Sequence, residues 1–358
     1  MKYEYWFANL MKLSCKRKLE IRQVIKSAEE LYYIEETALK QYVQDKKERA
    51  LILDSVRTWK LDEEYQKLEQ NQVQFVTMLD EEYPKRLRNI TSPPYTLFIK
   101  GNLPREDRRA VAIVGARECT PYGQAMAKEF AKTLARKGVQ IISGMARGVD
   151  SAGQSGALEV GGDSYGVLGC GVDVCYPREK FELYMKLQKQ GGILSEFPLG
   201  TNPLPQYFPA RNRIISGLAD TILVMEAKEK SGSLITADTA LEQGKDVYAL
   251  PGPINSRLSM GCNRLIRQGA GILLSPEELL DELGICQVNK KENEEQIKLL
   301  LETTEKLVYS CLDLQPRNLE YLFHATKIPT SELLDALMSL QLKGVVSEIS
   351  KNYYVKTK

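Results

Sequence analysis

One histidine in 358 residues removes the usual proton carrier from most hydrolytic schemes. That residue, His324, stands near the C-terminus, far in sequence from every glycine-rich loop. A catalytic triad or general-base mechanism would need a carboxylate or lysine in its place. Cysteine is sparse as well. The seven (Cys15, Cys119, Cys170, Cys175, Cys262, Cys286, Cys311) are scattered and odd in number, which favours reduced thiols in a cytoplasmic protein over a disulfide scaffold. Cys170 and Cys175 are the nearest pair, and no second pair or local histidine completes a zinc site, so no metal is expected. No apolar run reaches signal-peptide or bilayer length, so no membrane partner is expected. A dominant charge is missing too: 49 Lys and Arg against 47 Asp and Glu leave +2, and any nucleic-acid surface must be a local patch.

What is present changes along the chain. From Trp6 to about Leu68 there is no glycine, and apolar residues such as Leu19, Ile21, Val24 and Ile25 recur at helical spacing among many charges. This reads as a small all-helical domain over 1–70. Pro84, Pro93 and Pro94 then break any helix, giving a linker-like stretch. The centre holds seven short apolar runs: 110–114, 139–143, 165–168, 192–195, 221–225, 246–250 and 271–274. Continuous rather than alternating runs, separated by helical stretches, predict an α/β domain over 71–284 built on a mostly parallel sheet covered on both faces. In such a sheet ligands bind beyond the carboxyl ends of the strands. Residues 285–297 form a charged linker, and 298–358 reads as three helices and a hairpin, the pattern of a winged-helix domain. Leu333, Leu334, Leu337 and Leu340 are expected to form the core face of its last helix.

The unusual residues cluster at predicted strand ends. Phe208–Gly217, FPARNRIISG, sets Arg211 and Arg213 around Asn212, with Phe208 as a flat face for a base. It contains no acid, histidine or thiol. Gly115 and Arg117 follow the first central strand, where Thr120 and Pro121 cap a helix whose free N–H groups suit an anion. Gly144, Arg147 and Asp150 follow the second, with an Arg147–Asp150 pair an equally good reading. Ser231, Gly232 and Ser233 precede a further helix. Each loop alone also has a plain reading as a strand-to-helix turn, the first favouring an anion cradle only slightly; three on one edge of a sheet, with the arginine pair, point to a phosphate cradle. The spacing is not GxGxxG and no ribose-binding acid is evident, so a dinucleotide cofactor is not expected. Cys119 sits near a helix start and an arginine, which can lower a thiol pKa, but the plainer reading is a small loop residue. Tyr176-Pro177 reads as a turn more readily than as a stacking platform.

GARECTPYG (115–123), SGMARGVD (143–150), SEFP (195–198), FPARNRIISG (208–217), EAKEKSGSLITA (226–237) and PGP (251–253) together resemble the DprA/Smf family of bacterial DNA-processing proteins. The resemblance runs in order and spacing from about Leu79 to Leu283. It implies an extended Rossmann-like, doubly wound core flanked by an N-terminal SAM-like helical domain and a C-terminal winged helix. It further implies a cytoplasmic protein that binds single-stranded DNA, protects incoming strands in natural transformation, dimerises through the Rossmann-like domain and loads the RecA recombinase. By position, Arg117, Arg147, Arg211 and Arg213 look like phosphate contacts and Phe208 like the stacking residue. Gly115, Gly144, Asn212 and Ser231–Ser233 would line the same site, and Asn263–Ile272 resembles the segment near the family's dimer contact.

Several positions depart from that pattern. Gln154 and Lys180 replace residues that are often histidine or asparagine, and Pro205-Gln206 stands where a lysine commonly precedes FPxRN. Leu13-Ser14-Cys15 replaces the Gly-hydrophobic-Gly turn of a DNA-gripping hairpin. The last helix carries Glu332 and Asp335 with only Lys343 near its end, the wrong sign for a groove reader. The expectation is therefore a DNA-binding mediator, not an enzyme, with no cofactor, and with protein-contacting satellites. The alternative is a Rossmann-like nucleotide-processing enzyme of phosphoribohydrolase type, for which Glu226 and Glu196 are the only plausible carboxylate catalysts.

Overall fold

The computed structural model describes residues 1–285, 303–312 and 316–356. They divide into two compact units, Met1–Glu282 and Leu283–Lys358. The first unit opens with six helices: α1 (Lys2–Ala8), α2 (Cys15–Val24), α3 (Ala28–Tyr32), α4 (Glu36–Tyr42), α5 (Lys46–Thr58) and α6 (Leu61–Gln70). Ser14, Ser27 and Asp45 accept hydrogen bonds from backbone N–H groups in the first turns of α2, α3 and α5, which marks where those helices begin. Trp6, Phe7, Ile21, Leu31 and Ile52 bury their apolar faces together.

The stretch read as a linker is a correction. It contains β1 (Gln74–Thr77), a short helix α7 (Lys85–Arg88) and β2 (Thr96–Gly101), and the two strands pair antiparallel. Pro93 and Pro94 precede β2 instead of interrupting it, so no ladder donor is lost. Tyr5 of α1 packs on Phe75 of β1 and Phe98 of β2, at centroid distances of 5.6 and 6.1 Å, so the helical start is fused to the sheet through this added edge.

The remainder alternates strand and helix. It comprises β3 (Ala110–Val114), α8 (Pro121–Arg136), β4 (Gln140–Ser143), α9 (Val149–Glu159), β5 (Ser164–Val167), α10 (Phe181–Lys189), β6 (Gly191–Ser195) and α11 (Tyr207–Leu218). Then come β7 (Thr221–Val224), α12 (Gly232–Glu242), β8 (Asp246–Ala249), α13 (Met260–Arg267), β9 (Gly271–Ile272) and α14 (Pro276–Glu282). The nine strands form one sheet in the order β1-β2-β6-β5-β4-β3-β7-β8-β9. From β6 to β9 every pairing is parallel. Ala110, Ala112 and Val114 pack with Ile214 and Ile215 of α11 on one face, while Ile113 lies against Gly153 of α9 on the other. That alternation is why the strand sequences are apolar throughout. The chain winds outward from β3 through β6, then returns to place β7 on the other side of β3. The direction of winding therefore reverses between β3 and β7, where the carboxyl ends of the two strands open a crevice.

The second unit contains helices Thr303–Ser310, Leu319–Thr326 and Thr330–Leu342, and strands β10 (Arg317–Asn318), β11 (Val346–Ser350) and β12 (Tyr353–Lys356), antiparallel in the order β10-β12-β11. Leu333, Leu337 and Leu340 are buried as read, but Leu334 is 41% exposed, so the core face of that helix is narrower than expected. The linker read at 285–297 lies, from residue 286 on, outside the described residues.

Candidate nucleic-acid interface

The loop after β3 is shaped by close approach. A Cβ on Gly115 would lie 2.7 Å from a Val149 methyl and 3.0 Å from the Glu226 carbonyl, so only glycine fits there. Ala116 N–H donates to that carbonyl at 2.7 Å, tying the loop after β3 to the loop after β7. Thr120 caps α8 as predicted, accepting from Gly123 N–H at 3.1 Å.

The expected anion cradle at the start of α8 is already filled. The buried Glu226 carboxylate accepts from Thr120 N–H at 2.7 Å and from Thr120 Oγ1 at 2.6 Å. A Cβ on Gly123 would strike its Cδ at 2.4 Å, so the carboxylate lies tight against the first helical turn. The protein's own anion takes the favourable end of this helix, and a phosphate has no place there. Glu226 is thus bonded to the start of α8 and lines neither of the cavities described below. Glu196 is likewise engaged, accepting from Arg213 Nη1 and Nη2 at 2.7 Å each.

The two arginines of FPARNRIISG part company. They stand two apart on α11, and two residues at 100° each place their side chains on nearly opposite sides of a helix. Phe208, Arg211, Asn212 and Ile215, at i, i+3, i+4 and i+7, share one side and line a cavity of about 480 Å³. Arg213 faces away, held by Glu196 and by the carbonyls of Ser92 (2.7 Å) and Ala210 (2.8 Å). It lines neither of the cavities described here, which corrects its reading as a phosphate contact. Arg211 borders the cavity but is only 5% exposed. Its Nη1 donates to the Gly144 carbonyl at 2.9 Å and to the Val167 carbonyl. Burial pushes its pKa down to about 10, against the pull of nearby Asp150, so it remains a cation at neutral pH. Arg211 thus clamps the ends of β4 and β5.

Asp150 accepts from Gly144 N–H at 3.1 Å and is buried. Arg147 does not pair with it. Its exposed guanidinium pairs instead with Glu179 of the turn Arg178–Lys180. Gln154, at a family histidine position, is buried and donates to the Tyr165 carbonyl at 3.0 Å.

Beside the first cavity lies a second of about 700 Å³. Gly115, Asn212, Ser231, Gly232 and Ser233 line the first, Gly144 and Arg147 the second, and Arg117, Phe208 and Arg211 border both. The fold therefore gathers every predicted site residue except Arg213. Asn212 Nδ2 donates to the Gly232 carbonyl at 3.3 Å, joining α11 to the serine–glycine loop. Lining residues that sequence reasoning missed include Lys230 in the first cavity, Arg178 in the second, and Tyr176, which borders both and reads in the sequence as a turn more readily than as a stacking platform. Position gave some signal for Lys230, which directly precedes Ser231-Gly232-Ser233. Among the described residues Arg117, Lys230 and Arg178 have no carboxylate partner; Arg117 rests over the Phe208 ring at 5.4 Å.

Burial disfavours the thiolate form of the nearby cysteines. Burial, and then the Glu226 charge, push Cys119 above the ordinary thiol value, and burial raises Cys170 to about 12. Cys119 in the folded protein is therefore expected to alkylate with iodoacetamide at pH 7.5 more slowly than a free peptide thiol. Peptide mass spectrometry checks this, and labelling faster than the peptide would show an activated thiol.

A family model described as DNA recombination-mediator protein A matches residues 74–284. The chain belongs to this family. Its match covers the sheet and both cavities. Among relatives, Protein Smf of Escherichia coli (strain K12) is 38% identical over 294 residues, covering 80% of this chain and 78% of that protein. DNA processing protein DprA of Streptococcus pneumoniae is 40% identical over 226 residues, covering 63% of this chain and 80% of the relative. The X-ray structure of DprA from Streptococcus pneumoniae superposes with a TM-score of 0.69 at 33% identity, covering 79% of this chain and 98% of that one. DprA from Helicobacter pylori, whose structure addresses a single-stranded DNA binding mode, gives 0.54 at 31% identity, covering 60% and 97%.

Proposed function

We propose that this member of the recombination-mediator family binds single-stranded DNA across the crevice between β3 and β7 and is not an enzyme. The observation that carries the reading is the pair of adjoining cavities bearing Arg117, Lys230 and Arg178, unpaired among the described residues, around the Tyr176 and Phe208 rings. Cations track phosphates and rings stack any base, so binding is sequence-tolerant. Neither cavity is lined by the histidine, and the two carboxylates named for the enzyme alternative are bonded to Thr120 and Arg213. Gly115, Gly144, Asn212 and the Ser231–Ser233 loop shape the walls, Arg147 joins the cations once released from Glu179, and Arg211 holds the floor.

Family membership supports the wider role: protection of incoming strands in the cytoplasm during transformation or recombination, and loading of RecA. A homodimer through the Rossmann-like part fits the exposure of Ile254 (92%), Ile272 (46%) and Leu274 (69%), the last two at and just beyond edge strand β9. The layout of three helices and a small antiparallel sheet supports a winged helix at the C-terminus. Its last helix carries Glu332 and Asp335, and Lys343 is taken by Glu305 at 2.6 Å, which supports a protein partner there. The N-terminal helices fit a SAM-like module joined to the sheet.

A titration of labelled oligo-dT and a matching duplex tests the core of this reading. The single strand is expected to bind far more tightly, and Phe208→Ala to weaken it by about 1–3 kcal/mol, or roughly 5- to 150-fold. Equal affinity for the duplex would sink the reading. Release of base from nucleoside monophosphates, abolished by Glu226→Gln, would favour the enzyme.

A further inference from the structure

We infer that the site holds two consecutive nucleotides, one on either side of an aromatic ridge, and that Tyr176 is its outer stacking surface. This rests on the single-strand reading above and deepens it.

Phe208 is hemmed in. Gly169 backs onto its ring, since a Cβ there would lie 3.0 Å from Cδ1. Arg117 sits 5.4 Å from the centroid, Arg211 6.0 Å and the Tyr176 ring 5.6 Å at 33°. Tyr176, by contrast, is 39% exposed and borders both cavities. A base clamped between two rings needs about 7 Å, twice a van der Waals contact. The 5.6 Å between these two leaves no such slot, so a base must stack on the outside of the ridge.

The ridge separates two spaces of comparable size. At about 480 and 700 Å³, each falls in the roughly 300–1,000 Å³ range of pockets that take one small ligand. Arg117 borders both and is free to meet the phosphate that links two nucleotides. Lys230 stands only in the first cavity and Arg178 only in the second, one cation for each outer phosphate. A strand crossing the ridge therefore meets, in order, Lys230, Arg117 and Arg178, with the Tyr176–Phe208 ridge between the bases.

Anisotropy titrations of oligo-dT and of an abasic strand of equal length, on full-length protein, test this. Tyr176→Ala is expected to weaken oligo-dT binding roughly 5- to 150-fold, the range for loss of one stacked base. Tyr176→Phe should bind like wild type, whereas Tyr176→Leu, which keeps bulk without a ring, should fall with the alanine variant. The abasic strand should not distinguish Tyr176→Ala from wild type. The double variant should bind more weakly than Phe208→Ala alone, because each ring serves a different base. The inference is overturned if folded Tyr176→Ala binds oligo-dT as wild type does. It is equally overturned if the abasic strand loses as much, or if the double variant is no weaker than Phe208→Ala alone. A wild-type protein that binds no single strand would instead sink the parent reading.

Discussion

Arg213→Ala will cost the first unit about 1–3 kcal/mol of stability, between the values for an exposed and a buried ion pair, while Arg117→Ala will cost almost none. Arg213 and Glu196 are only 17% and 16% exposed and meet through two hydrogen bonds, so truncation leaves a carboxylate desolvated and alone. It also removes hydrogen bonds to the solvent-accessible carbonyls of Ser92 and Ala210. Arg211→Ala should be at least as damaging, because its guanidinium is buried on the Gly144 and Val167 carbonyls. Binding should divide the other way. Arg117→Ala should lose strand affinity at unchanged stability, and Arg213→Ala, measured below its unfolding transition, should keep it. Urea midpoints and oligo-dT titrations on the same preparations separate the two effects. Arg213→Ala with wild-type stability and lost binding would restore it as a phosphate contact.

That reversal shows where the sequence was legible. The central strands could be read because strands buried on both faces are apolar at every position, and the runs at 110–114 and 221–225 contain almost no polar interruption. The loop residues could be read because their glycines, caps and arginines follow strands directly. What escaped depended on direction or distance. Arg211 and Arg213 look like a pair in a string, yet helical rotation sends them to opposite sides, and nothing in FPARNRIISG says which faces the crevice. The cradle at the start of α8 looked empty because its occupant, Glu226, is 106 residues beyond Thr120. Prolines 84, 93 and 94 hid two strands because prolines that break a helix equally well flank strands. Tyr176 shares a wall with Phe208 only because β5 and α11 come together.

The same charge pairings set the salt dependence of binding. For a single strand, the logarithm of affinity falls against the logarithm of salt with a slope near −0.7 for each phosphate neutralised. With Arg117, Lys230 and Arg178 the unpaired cations, the slope should be about −2, and each single alanine variant should bring it closer to zero by about 0.7. Arg147 contributes little in the free protein because Glu179 already neutralises it, and that carboxylate lines the cavity where a phosphate would sit. Glu179→Gln removes a competitor without removing a side chain. It should therefore tighten binding at low salt and steepen the slope by about 0.7, with Arg147→Ala in the same background cancelling the gain. A slope unchanged by Glu179→Gln would mean that Arg147 never reaches the strand, and that the second cavity holds its nucleotide through Arg117, Arg178 and Tyr176.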